Sequence, residues 1–160
     1  MDELYEAYLA CSVCKTKLLV CDVNYKCANS QCNDTFPVVN GVPILINEAC
    51  SAFSIEDFLD QKEIAGVIKK SKLVTAINKI IPSLNLNVTT TINLLNLNEE
   101  ILKLNPHLKV LIVGCPSKGQ GMEALYDGSI SMMHTDVSLE GSTEVVADVH
   151  DIPFVEGTFD

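Results

Sequence analysis

The sequence contains no arginine: its 11 basic residues are all lysines, set against 21 acids, for a formal charge of -10. That balance argues against the broad cationic face needed for sequence-independent nucleic-acid binding, because neutralising phosphates takes clustered cations. Lys15, Lys17 and Lys26 leave room for a local patch. Long apolar runs are also missing, and none approaches the roughly 18 residues of a membrane span. The acidic start Met1-Asp2-Glu3-Leu4-Tyr5-Glu6 lacks the basic and apolar stretches of a secretory signal. A soluble, cytoplasmic protein is expected. No internal repeat is present, and His107, His134 and His150 stand apart without the spacing of a ligand set or catalytic triad, so they read as ordinary polar or packed residues. What remains is a globular composition, 48% apolar and 20% charged. At 160 residues it suits one domain, or a small module with part of a larger one.

Five of the seven cysteines fall between Cys11 and Cys32. Cys11-Ser12-Val13-Cys14 and Cys27-Ala28-Asn29-Ser30-Gln31-Cys32 form C-x2-C and C-x4-C, separated by twelve residues. Each short spacing lets a tight turn aim two thiolates at one tetrahedral ion, while the intervening hairpin brings the pairs together. An odd, clustered set in a reducing compartment reads as metal ligation rather than disulfides. Zinc fits, as a closed structural site with no open position for water. Four thiolates on a divalent ion leave a net charge of -2, which Lys15, Lys17 and Lys26 are placed to offset. Cys21 reads as a buried hairpin thiol, with ligand replacement the lesser alternative. Cys50 and Cys115 read as core or loop residues. So small a module buries little surface, and metal binding is expected to supply much of its folding free energy.

Short β-like runs accompany the cysteines, at Leu18-Leu19-Val20 and Val42-Pro43-Ile44-Leu45-Ile46. Asn40-Gly41 marks a hairpin turn, and Pro37 and Pro43 predict edge-like pairing. From Ser54 to Ile81 apolar residues recur at helical steps, with Ser54 as a cap and Pro82 as a stop, which predicts one or two amphipathic helices. A second helix is expected to begin after Thr91 and end near Pro106. Lys109–Val113 is a buried-strand run leading into a glycine-bearing loop, and Met122–Tyr126 suits a helix. Further strands are predicted over Ile130–Val137 and Glu144–Val149, the opening of a parallel β-α-β unit.

Residues 7–48, with their paired cysteines and the hairpin Phe36-Pro37-Val38-Val39-Asn40-Gly41-Val42-Pro43-Ile44-Leu45, resemble a small zinc-ribbon family. That family includes activator subunits of tRNA, rRNA and release-factor methyltransferases and ribbons fused to methyltransferase domains. Residues 109–160 resemble the first part of a class I, Rossmann-like S-adenosylmethionine-dependent methyltransferase. In that family a glycine-rich turn after the first strand lets the backbone approach the methionine and ribose of the cofactor. The resemblance assigns this task to Gly114, Gly119 and Gly121. It gives Asp136, at the end of the second strand, the ribose hydroxyls. It gives Asp148 the adenine amine, with Asp151 the near alternative. Ala147-Asp148-Val149-His150-Asp151-Ile152-Pro153-Phe154 and Thr158-Phe159-Asp160 carry the match to the third motif. The chain departs from the family at Ile112, where an acid is common, and at Cys115-Pro116, where Gly-x-Gly is interrupted. Gly114-x4-Gly119 lacks the Lys-Ser/Thr of a P-loop, and the NAD fingerprint fails at its second glycine. Lys118 reads as a solvated loop lysine.

The expected fold is therefore α/β: a four-cysteine zinc ribbon over 1–48, helices over 49–106, and an incomplete Rossmann-like sheet with its S-adenosylmethionine site over 107–160. The expected function is that of the N-terminal portion of a methyltransferase with a structural zinc ribbon and an unidentified acceptor. The alternative is a non-enzymatic ribbon adaptor or activator that docks on a partner methyltransferase. No catalytic residue is named, because the family places its acceptor-orienting residues after the point reached by Phe159-Asp160. This 160-residue form is expected to be incomplete for catalysis and to bind cofactor weakly or not at all.

Overall fold

The computed structural model describes residues 6–64, 88–104, 107–114 and 130–160. Its first sheet is antiparallel and runs in chain order: β1 (Leu18–Cys21), β2 (Asn24–Cys27), β3 (Thr35–Val39) and β4 (Val42–Pro43). The β3–β4 turn is made by Asn40 and Gly41, both at positive φ (52° and 83°), which matches the twist of the paired strands. Pro37 is not on an edge strand as expected. β3 pairs with β2 through Pro37 and with β4 from Val38 onward, so the proline stands at the changeover. Its carbonyl accepts from Ile44 N at 2.9 Å, and β2 ends opposite it at Asn24.

Helix α1 (Ile55–Ile64) begins in a reciprocal cap. Ser54 N donates to Asp57 Oδ2 and Asp57 N to Ser54 Oγ, so two of the otherwise orphaned amides at the helix start are satisfied. The Ser54 amide, followed by its hydroxyl, holds the Asp57 carboxyl below its usual range. The rest of the expected helical run to Ile81 lies outside the described residues. Helix α2 (Val88–Leu104) starts three residues before Thr91 and stops two before Pro106, which disfavours helical backbone in the residue ahead of it.

The second sheet is parallel, in the order β5 (Lys109–Val113), β6 (Ser131–Asp136), β7 (Val145–Val146). β5 matches its expected span, yet its side chains are only half-buried. The third strand was expected over Glu144–Val149 and is much shorter. Ala147 still donates to Asp136 O, but Asp148 turns its carboxylate back onto His150 N, and a 3-10 turn (Val149–Asp151) follows. An acid that can hydrogen-bond its own neighbouring backbone competes with the ladder and here ends it.

The two sheets are joined. Ile44 bridges Val146 in parallel, with Leu45 N donating to Val146 O at 2.9 Å. Leu9 bridges Phe154, flanked by bonds from Ala10 N to Pro153 O and from Val155 N to Tyr8 O. One core results: Leu9, Tyr25, Phe36 and Leu45 pack with Met133, Val145 and Phe154. Val39, Ile44, Ile46 and Val146 enclose Phe58 of α1 in a second cluster. The architecture is mixed α/β, a small antiparallel sheet beside a three-stranded parallel one. No helix among the described residues is long and apolar enough to cross a membrane.

Candidate functional site

Two short turns build the cysteine cluster. In the first, Lys15 N donates to Cys11 O; in the second, Cys32 N and Asn33 N donate to Asn29 O. In each, the residue after the second cysteine, Lys15 or Asn33, adopts a left-handed conformation, with φ of 59° and 55°. Both turns thereby curl their thiols inward, and the four sulfurs of Cys11, Cys14, Cys27 and Cys32 lie within 4.8 Å of one another. The Cys14 and Cys27 sulfurs are 3.4 Å apart and those of Cys11 and Cys32 3.7 Å. Tetrahedral zinc with bonds of about 2.3 Å separates its sulfurs by about 3.8 Å, so the donor set is close enough to hold such an ion. Asn29 N points to Cys27 Sγ at 3.4 Å, the kind of outer contact that steadies a ligand.

The thiols differ electrostatically. Hydrogen bonds from the Thr16 hydroxyl and amide lower Cys14 to about 6. Burial pushes Cys11 and Cys27 up, and the bond from Cys32 to the Asp34 carboxylate, 2.8 Å long, pushes Cys32 up to about 12. A bound divalent cation would reverse that preference for the neutral form. Cys21 lies outside the cluster and is exposed rather than buried, because it ends the edge strand β1, whose Leu19 and Val20 also face outward. Of the three lysines near the cluster, Lys15 forms an ion pair with Asp151. Cys50 is an exposed loop thiol, and Cys115 lies outside the described residues.

A cleft of about 600 Å³ opens at the carboxyl ends of β5 and β6. Gly114, at φ 71°, Asp136 and Asp148 all line it, although they come from three separate segments. Gly114 N donates to Thr135 O, which holds the loop start against β6. Asp136 is only 8% exposed, and no described residue hydrogen-bonds its carboxylate. Asp148, by contrast, is heavily engaged. Oδ2 accepts from Ser51 Oγ at 2.6 Å, and Oδ1 meets His150 N at 3.0 Å and His150 Nδ1 at 2.7 Å. The Ser51 bond, followed by those from His150, lowers Asp148 to about 2. Asp151 does not line the cleft; its carboxylate is taken by Lys15 and Asn47. Gly119, Gly121 and Lys118 lie outside the described residues.

The opposite wall went unread in the sequence. Cys50, Ala52 and Phe53 line the cleft together with Val149 and His150. No local pattern marks residues 50–53 as site residues, since their placement depends on contacts with a segment about a hundred positions away. His150 had one readable signal, its position two residues after an acid that can cap a turn.

The depressed Asp148 carboxyl carries a pH consequence. With the folded value near 2 against 3.8 for the free group, its stabilising bonds are complete above pH 4 and are lost as pH falls towards 2. Ser51→Ala removes the largest contributor, so the Asp148 titration followed by carboxyl carbon NMR is expected to move up, with acid loosening of the 148–151 turn beginning at higher pH. An unchanged titration would rule out the serine as the cause. No protein-family model matches the chain, and no curated protein matches it.

Proposed function

We propose that this chain uses a structural zinc ribbon to brace a small-molecule cleft that takes S-adenosylmethionine, as the cofactor-binding part of a methyltransferase. The observation that carries the reading is the convergence of Gly114, Asp136 and Asp148 on one cleft at the carboxyl end of a parallel sheet, where α/β folds bind their ligands. The mostly buried Asp136 carboxylate, hydrogen-bonded by no described residue, suits two adjacent ribose hydroxyl donors. Asp148 Oδ2 has accepted one hydrogen bond and has capacity for a second, from an adenine amine. Val113, Val137, Ala147, Val149 and Phe53 provide apolar walls for a planar base. Zinc held by Cys11, Cys14, Cys27 and Cys32 supplies fold stability and no chemistry on the substrate. Methyl transfer itself depends on aligning an acceptor in line with the departing sulfur, and no described residue is assigned that task.

Binding is expected to be weak, so NMR with millimolar S-adenosylmethionine is the suitable test. Amide shifts should appear at Gly114, Asp136 and His150. Asp136→Ala should weaken the titration by about tenfold or more, the cost of losing charged hydrogen bonds. Shifts confined to residues outside the cleft, or equal binding by the variant, would reject the cofactor.

A second reading, an adaptor that docks through the ribbon on a partner methyltransferase, is favoured by the exposed apolar residues Leu19, Val20 and Val23 on β1 and its turn. It predicts that Val20→Asp abolishes co-purification with a catalytic subunit while zinc content stays the same.

A further inference from the structure

The cysteine turns and the cleft share a set of polar contacts. Asn47 is at their centre, a polar side chain only 8% exposed. Its Nδ2 reaches Ser12 O, between Cys11 and Cys14, at 3.3 Å, and Asp151 Oδ2 at 2.8 Å. Lys15, the residue following Cys14, bonds the same Asp151 carboxylate and also Ile152 O at 3.2 Å. On the cleft side, the carbonyl of Asn47 accepts from Cys50 N and Ser51 N at 3.0 and 2.9 Å, and Asn47 Oδ1 accepts from Ala49 N at 3.2 Å. This folds the 47–51 loop so that Ser51 meets Asp148 and Cys50 faces the cleft. Asp151 N in turn donates to Asp148 O at 3.0 Å, so both walls of the cleft depend on the same two residues.

We propose that Asn47 and Asp151 couple the metal-bound cysteine turn to the cleft, so that the cleft takes its ligand-ready shape only when the metal is in place. The physical link is contiguous: a cysteine turn closed around an ion fixes Ser12 O and Lys15. Those two groups position Asn47 and Asp151, and this pair holds the loop and the 3-10 turn that face each other. Releasing the ion frees the cysteine turn, and the buried amide of Asn47 and the part-buried carboxylate of Asp151 lose the partners that order them. Coupling of this kind is reciprocal, so an occupant of the cleft tightens metal binding. The inference rests on the metal assignment alone and holds whatever ligand the cleft takes.

Amide hydrogen exchange tests it, with zinc stoichiometry measured on each sample by native mass spectrometry. In the zinc-loaded protein the amides of Cys50, Ser51, His150 and Asp151 should be protected, and stripping zinc should speed their exchange about tenfold or more. The deciding samples are zinc-loaded Asn47→Ala and, at a part-buried position, Asp151→Ala. Both should keep one zinc and slow exchange at Lys15, Cys27 and Cys32, while the four cleft amides exchange about tenfold faster. Cleft protection unchanged in both zinc-loaded variants would overturn the coupling. So would loss of cysteine-turn protection together with the cleft in both, because the pair would then merely hold the fold together. A wild-type protein that carries no zinc would refute the metal assignment itself, a result separate from either.

Discussion

Stripping zinc from the loaded protein is expected to unfold the antiparallel sheet at 25 °C, a larger effect than any side-chain substitution elsewhere. Structural zinc contributes an apparent free energy of about 10–16 kcal/mol in small zinc modules. The whole stability of an ordinary domain is about 5–15 kcal/mol, so little would remain. Cys11→Ser and Cys27→Ser should act similarly, since each removes a ligand and places a hydroxyl in a fully or nearly fully buried position. The damage should also spread. Cys11 and Cys27 pack in the same cluster as Met133, Val145 and Phe154, so the parallel sheet loses part of its cover when the cysteine turns open. Circular dichroism melts with and without a chelator, paired with zinc stoichiometry, measure this. A melt unchanged after complete zinc loss would show that the core alone carries the fold.

The second large effect is expected from Phe36→Ala. Phe36 is 2% exposed, lies opposite Tyr25 on the neighbouring strand, and packs in the cluster that includes Leu45, Val145 and Phe154. Truncating a buried aromatic removes its transfer free energy and leaves a cavity that neighbours fill only in part, a loss of about 3–5 kcal/mol. Because the cluster spans both sheets, urea unfolding of the zinc-loaded variant should show one transition with a lowered midpoint, seen alike by probes in β2 and β6. Val23→Ala, at a 73% exposed turn position, is the control and should change stability by less than about 0.5 kcal/mol. A loss below about 1 kcal/mol for Phe36→Ala, or two separate transitions, would contradict the shared core.

The features legible in the sequence are those set within a few residues. The spacing of Cys11 with Cys14 and of Cys27 with Cys32 prefigures two turns, because so short a span has few ways to present two thiols to one point. Asn40-Gly41 prefigures its hairpin through the positive φ that both residues tolerate. The run Val110-Leu111-Ile112-Val113 prefigures β5, and Ser54 prefigures the start of α1. Local chemistry misled where a longer contact or a side-chain competitor intervened. Pro37 suits an edge yet sits between two partners, because β3 exchanges one for the other at that residue. The third parallel strand stops at Val146, because Asp148 finds hydrogen bonds outside the ladder.

By itself, then, the sequence determined the cysteine turns, the hairpin and the direction of the strands, all products of short-range sterics and hydrogen bonding. Tertiary structure alone decided what those parts face. Ile44 joins Val146, Asn47 reaches Asp151, and Ser51 meets Asp148 across about a hundred residues of chain. No periodicity records such pairings, because they arise when two sheets meet at a bridged edge, bury apolar side chains in one core, and leave polar groups at the seam that must find partners.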